Sequence, residues 1–148
     1  MSKGVKITLW VVIALVAVFG LIQLVPYGRD HTNPPVTNEY QWKSAEAKAV
    51  AQQACYDCHS NETVWRWYHD IAPGSWLVQR DVDEGRDRLN FSEWPQGAAI
   101  VTAGIGEQIA EVVREGEMPP LQYKLLHGGA RLSDAERQLL IDEFASAH

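Results

Sequence analysis

The chain has 148 residues and a formal net charge of −6, and it contains two cysteines and six tryptophans. Its length leaves room for about one small domain beyond any targeting segment. Lys3 and Lys6 precede the first apolar run, so the rest of the chain is more acidic than the total. An acidic domain repels phosphate backbones, which argues against nucleic acid as a partner.

The N-terminal segment predicts a membrane-spanning helix. From Ile7 to Val25 the chain is apolar apart from Thr8 and Gln23, and a run of this length can cross a bilayer as a helix. Two lysines precede it, and because positive charge stays on the cytoplasmic side, we expect the rest of the chain to be exported. The alternative is a cleaved signal peptide. No small-x-small cleavage site follows the run, so we predict an uncleaved anchor over residues 1–26.

A linker and a helix lead from the anchor into the predicted domain. Residues 27–43 carry prolines, asparagines and threonines, which are typical of an extended linker. Ser44 is a candidate N-cap for a helix over Ala45 to Ala54. The small side chains of this helix would let a flat group or another helix approach closely. We therefore place the domain at residues 44–148.

The run Cys55-Tyr56-Asp57-Cys58-His59 follows this helix and has the spacing Cys-x-x-Cys-His. This spacing is the attachment pattern of c-type haem. Each thiol can add to one haem vinyl group, and the adjacent His59 can reach the iron as the proximal ligand. The pattern predicts one covalently attached haem c held by Cys55, Cys58 and His59.

Three other kinds of site use a similar spacing. A dithiol redox site has Cys-x-x-Cys near a strand-helix-strand pattern, which the sequence does not show. A structural zinc site needs four ligands, and no second closely spaced pair of cysteines or histidines is present. A disulfide across two intervening residues closes a very small loop and gains little entropy.

The segment after the motif predicts a helix from Trp76 to Leu89. Ser75 is its candidate N-cap, and Trp76, Leu77, Val82 and Leu89 are expected to face inward.

Two further helices are predicted toward the C-terminus. The first runs from Ala98 to Glu115 and ends at Gly116 in the C′ position. The second opens with the capping box Ser133-Asp134-Ala135-Glu136 and runs through Phe144. No alternating strand pattern appears, so we predict an all-α fold.

The second iron ligand is the open question at the site. Met118 lies in the loop Gly116-Glu117-Met118-Pro119-Pro120, just past a predicted helix end, where two prolines would hold a thioether sulfur in place. The alternative for Met118 is core packing. His127 is the second candidate for the distal position, and it precedes two glycines. We expect His31, His69 and His148 to lie at the surface.

The chain resembles known haem proteins. The alanine-rich helix before the motif, the Met118 loop and a last helix beginning near Leu132 resemble class I cytochromes c. More specifically, the sequence is similar to the bacterial haem-binding domain family in the segments Cys58-His59-Ser60-Asn61-Glu62-Thr63, Trp65-x-Trp67-Tyr68, Ile71-Ala72-Pro73-x-Ser75-Trp76-Leu77 and Leu89-Asn90-Phe91-Ser92-Glu93-Trp94. Arg66 departs from the proline expected between the two tryptophans.

The resemblance implies a cytochrome c-like helical domain around one covalent haem, anchored by one transmembrane helix. We expect a single-pass protein of the bacterial inner membrane, with a cytoplasmic N-terminus and a periplasmic haem domain. The expected function is one-electron transfer with redox proteins of the respiratory chain, not enzymatic catalysis. The alternatives are a gas or redox sensor or a weak peroxidase with an open sixth position, or an assembly subunit whose haem is structural.

Overall fold

The computed structural model describes residues 2–96 and 104–145. Over these residues the regular secondary structure is helical, apart from an isolated bridge between Asn38 and Glu93. The predicted all-α fold is therefore confirmed. The chain divides into two compact units, Met1–Thr32 with Trp65–Asp83 and Asn33–Val64 with Glu84–His148.

The first unit contains the predicted anchor. Its helix α1, Lys3–Ile22, is the one helix of the described residues that is long and apolar enough to cross a membrane, and none of its residues is buried. A short 3₁₀ helix, Trp67–Asp70, also belongs to this unit. Helix α4, Gly74–Arg88, begins in the first unit and ends in the second.

The second unit holds the remaining helices of the described residues. These are α2 (Ala45–Ala54), α3 (Tyr56–His59), α5 (Ile105–Arg114), α6 (Leu121–Leu126), a 3₁₀ turn (Gly128–Ala130) and α7 (Asp134–Ala145). Helix α7 packs against both α5 and α2. The core beside these helices is an aromatic cluster formed by Tyr40, Trp42, Tyr56, Phe91, Trp94 and Phe144.

Several predicted helix ends are confirmed by their capping bonds. Ser44 caps α2, because its hydroxyl accepts the Ala47 N–H at 3.0 Å. The capping box of α7 is present: the Ser133 N–H donates to Glu136 Oε2 at 2.8 Å, and the Glu136 N–H donates to Ser133 Oγ at 3.3 Å. Gly116 follows α5 with a φ of +76°, the left-handed conformation expected at C′.

The beginning of α4 differs from the prediction. The helix starts at Gly74, so Ser75 lies inside its first turn, fully buried, and is not the N-cap. The N–H of Ser75 already makes a helical bond to the carbonyl of Ile71 at 2.9 Å. Leu77 is 47% exposed and not inward as expected, whereas Val82 is buried as predicted.

The helix predicted from Ala98 to Glu115 is described only in part. Its second half is α5, which is preceded by Gly104 as N-cap with a φ of +58°. Residues 97–103 lie outside the described residues, as does His148.

Candidate functional site

The Cys-x-x-Cys-His segment forms one tight turn at the end of α2. Cys55 ends α2, and Cys58 and His59 lie in the short α3 that follows. The N–H groups of Cys58 and His59 both donate to the carbonyl of Cys55, at 3.2 and 2.9 Å. Cys58 lies against Gly85 of α4 and is not among the residues that line the cavity beside this turn, whereas Cys55 is.

A cavity of about 280 Å³ opens beside this turn. Cys55, His59 and Met118 all line it, so the structure brings the first and last residues of the motif together with the predicted distal residue. Most of the remaining wall is apolar and comes from α5 and from residues 89–91: Ile105, Ile109, Val112, Val113, Leu89 and Phe91. Arg88 adds one positive charge to the lining.

The ring of His59 is held in one orientation by two backbone carbonyls. Its Nδ1 lies 3.0 Å from the carbonyl oxygen of Gly85 and 3.1 Å from that of Leu89. Carbonyl oxygens only accept, so Nδ1 carries the proton and Nε2 keeps its lone pair. This is the form of histidine that binds a metal, with its other nitrogen fixed by hydrogen bonds as expected for such a ligand.

The surroundings of His59 also favour its neutral form. Burial lowers the pKa of His59 below its usual value, and the nearby Arg88 guanidinium lowers it further. The hydrogen bonds to the Leu89 and Gly85 carbonyls act in the opposite direction.

Met118 reaches the cavity from the loop after α5. Its N–H donates to the carbonyl of Val112 at 3.2 Å, which ties the loop back to the last turn of the helix. The left-handed Gly116 reverses the chain, and the buried Pro119 follows Met118. These contacts position a thioether at the wall of the cavity.

His127 lies elsewhere. Its Nδ1 lies 3.0 Å from the carbonyl oxygen of Tyr123, its ring stacks on the Tyr123 ring at 3.9 Å, and its Nε2 is 3.9 Å from Asp57 Oδ2. It is not among the residues that line the cavity.

Two other histidines belong to the first unit, and the surface prediction is wrong for one of them. His69 is buried. Its Nδ1 accepts the N–H of Arg66 at 3.1 Å, and its ring packs edge-on against Trp65. A proline at position 66 would have no N–H to donate, so Arg66 makes a hydrogen bond to His69 that the expected proline could not make. His31 is partly exposed and stacks on Trp65 at 4.6 Å.

Gly85 also belongs to the site, although its role was not predicted from the sequence. A Cβ at this position would lie 2.4 Å from the carbonyl oxygen of Cys58, so α4 touches the backbone of the motif there. The same residue supplies one of the two acceptors of the His59 ring. A glycine inside a predicted helix was the available signal, since glycine weakens helices and needs a packing reason to be there.

Asp57, the second residue between the two cysteines, has a structural role that was not predicted from the sequence. Its buried carboxyl group accepts the Val64 N–H at 3.0 Å and the Tyr123 hydroxyl at 2.7 Å. Tyr123 belongs to α6, the helix that follows the Met118 loop. This bond therefore links the helix after the methionine to the turn that carries the cysteines.

We expect Tyr123→Phe to destabilise the protein by about 1–3 kcal/mol, because it removes a hydroxyl from a buried carboxyl group. Urea unfolding of Tyr123→Phe, Asp57→Asn and the double variant measures the coupling between the two side chains. If the two single effects simply add in the double variant, the Tyr123–Asp57 bond is not the source of the loss.

The thiol of Cys55 does not have the character of a reactive redox cysteine. Burial raises the pKa of Cys55 to about 12, and the neighbouring Cys58 contributes to the rise. Dithiol redox sites instead depend on a thiolate of low pKa. The raised pKa therefore argues against a dithiol redox site at this motif.

An all-helical domain with a Cys-x-x-Cys-His turn, a partly buried histidine held by two backbone carbonyls and an apolar cavity has the features of a haem-binding protein. Comparison with known families agrees: residues 17–146 match the model of the haem-binding domain family. The chain belongs to this family, which confirms the resemblance drawn from its motifs and identifies haem as its cofactor. Neither the curated proteins nor the solved structures give a significant match.

Proposed function

We propose that this protein is a membrane-anchored c-type cytochrome that carries one electron at a time on the periplasmic side of the membrane. The observation that carries the proposal is that Cys55, His59 and Met118 line one cavity. When bound, the haem supplies a reversible exchange between ferrous and ferric iron.

The residues of the cavity have separate roles in this proposal. The thiols of Cys55 and Cys58 would hold the haem covalently, and His59 would offer Nε2 to the iron. Met118 would offer its sulfur as the second donor, which would leave no open place for a substrate. A thioether donor favours the ferrous state and raises the potential relative to two histidines.

The remaining lining supports the same function. Apolar side chains from α5 would keep water out of the cavity and so limit the reorganisation that accompanies electron transfer. Arg88 offers a positive charge to the carboxylate groups of the cofactor.

Helix α1 anchors the protein in this proposal. It confines the domain to the membrane surface, where a raised effective concentration speeds exchange with respiratory redox partners.

Met118→Ala in the full chain, matured with haem, tests the ligand set. We expect the parent protein to be low-spin, to show the weak band of methionine-ligated ferric iron, and to resist carbon monoxide. We expect Met118→Ala to lose that band, to bind carbon monoxide in the reduced state and to have a lower potential. Absorption spectra and a redox titration measure these changes.

His127→Ala is the matched control, and its spectrum should equal that of the parent. A spectral change in His127→Ala with none in Met118→Ala would reverse the ligand assignment. Rapid carbon monoxide binding by the parent protein would support an open-site sensor or peroxidase instead of an electron carrier.

A further inference from the structure

The end of α1 is bound to the segment that precedes α4. Gln23 Nε2 donates to the carbonyl of Ala72 at 2.9 Å, and the Ala72 N–H donates back to Gln23 Oε1 at 3.0 Å. Arg29 adds a second link, since its Nε donates to the carbonyl of Asp70 at 3.1 Å. The residues around Ala72 therefore lie directly against the end of the predicted membrane helix.

Gly28 brings the same two parts of the chain together at another point. Its φ of +81° is left-handed, and a Cβ there would lie 2.3 Å from the carbonyl oxygen of Ser75. Only glycine combines this conformation with so close an approach. The segment after α1 is thus held to the first turn of α4.

The depth of this contact follows from the apolar run that crosses the membrane in this proposal. The 19 residues from Ile7 to Val25 are about as long as the hydrocarbon core of a bilayer is thick, and Gln23 lies two residues before the end of this run. Gln23 is therefore near the end of the membrane-crossing segment, next to the headgroup layer. Because Ala72 is hydrogen-bonded to Gln23, it lies near the same level.

Apolar side chains are exposed on the chain around this contact. Leu24, Tyr27, Trp67 and Ile71 form what we call the interfacial patch, and Trp67 is 74% exposed. Trp67 begins the 3₁₀ helix that ends two residues before Ala72, and this helix rises only about 2 Å per residue. Trp67 therefore stays close to Ala72 along the chain, and at the headgroup level an apolar ring with one N–H is favoured.

We propose that the interfacial patch binds the lipid headgroup region of the membrane that α1 crosses. Residues 67–72 would then lie on the bilayer surface, with Trp67 embedded among the lipids and Gln23 hydrogen-bonding this segment to the anchor. This inference rests on the membrane anchoring proposed above, and it adds a second lipid contact that is distant from α1 in the sequence.

Site-specific photocrosslinking tests the proposal. The photoreactive amino acid p-benzoylphenylalanine replaces Trp67 in the full chain, which is reconstituted into vesicles of phosphatidylcholine and phosphatidylglycerol. Ile71 is a second probe position, and the exposed Asp83 of α4 is the control. We expect mass spectrometry to show lipid adducts at positions 67 and 71 with a yield several-fold above that at position 83.

The outcomes separate this proposal from the anchoring itself. A chain that floats with the vesicles but forms no more lipid adduct at position 67 than at position 83 overturns the patch alone. A crosslink from position 67 to a second copy of the chain also overturns it. A chain that does not float with the vesicles overturns the anchoring and the patch together. This outcome does not affect the haem assignment.

Discussion

Replacing Gly85 with alanine is expected to destabilise the protein and to reduce haem attachment. The new methyl group would lie 2.4 Å from the carbonyl oxygen and 2.9 Å from the carbonyl carbon of Cys58. The atoms that must move are backbone atoms of the motif itself, so a change of side-chain rotamer cannot relieve the contact. Movement of α4 would also disturb the Gly85 carbonyl that holds the His59 ring.

The sign of the Gly85 effect follows from two opposing terms. Alanine gains about 0.5–1 kcal/mol over glycine inside a helix. Overpacking costs about 1–3 kcal/mol and sometimes more. Because the contact is with backbone, we expect the overpacking to exceed the gain and the net free energy of unfolding to fall.

Gly74→Ala in the same helix is the matched control. A Cβ at Gly74 would lie 3.5 Å from the Tyr68 carbonyl oxygen, which is an ordinary contact. Denaturant unfolding should therefore show Gly74→Ala to be neutral or slightly stabilising and Gly85→Ala to be destabilising. A haem stain after denaturing electrophoresis reports covalent attachment. Equal stability and equal attachment in both variants would show that α4 does not press on the motif.

Local sequence signals predicted the parts of this protein that local chemistry decides. The caps at Ser44 and Ser133 and the left-handed Gly116 depend on residues a few positions apart, and each was found where expected. The motif from Cys55 to His59 is also local, and it predicted a haem cofactor, which the family comparison supports. Its covalent attachment as haem c stays a prediction.

Features that depend on distant parts of the chain could not be predicted. The Gly85 contact joins α4 to a turn that lies far earlier in the sequence, and the Tyr123–Asp57 bond spans 66 positions. Nothing in the sequence indicated that the buried ring of His69 would accept the N–H of Arg66. Such contacts are products of tertiary packing, which overrides local preference.

Met118 and His127 illustrate the limit within the site. The sequence offered both as distal donors, and their loops differed only in stiffness. In the structure Met118 lines the cavity, whereas His127 packs against Tyr123, near Asp57. That separation depends on the path of α6, which the sequence analysis did not predict as a helix. The identity of the distal iron ligand stays a prediction, which the absorption spectra of Met118→Ala and His127→Ala test.

Phe91→Ala is expected to lower the free energy of unfolding by about 3–5 kcal/mol, the usual cost of removing a buried phenylalanine ring. Phe91 is 1% exposed and stacks on Tyr56, Trp94 and Phe144, with ring centroids 5.6, 6.0 and 5.9 Å apart. A domain of this size has a total stability of about 5–15 kcal/mol, so the loss is a large fraction of it.

The position of Phe91 connects this core to the haem cavity. Its N–H donates to the carbonyl of His59 at 2.8 Å, and its side chain forms part of the cavity wall. Removing the ring leaves a void beside His59, the proposed proximal ligand, so we expect the surroundings of the bound haem to loosen along with the core. Urea unfolding followed by circular dichroism and by haem absorption measures both effects on one sample.

Two further variants serve as comparisons for the loss of stability expected in Phe91→Ala. Phe91→Leu keeps most of the apolar volume and should cost clearly less than Phe91→Ala. Leu125→Ala removes an exposed side chain of α6 and should change stability by no more than about 0.5 kcal/mol. A Phe91→Ala protein as stable as the Leu125→Ala protein would mean that the aromatic cluster is not what holds the proximal side of the cavity in place.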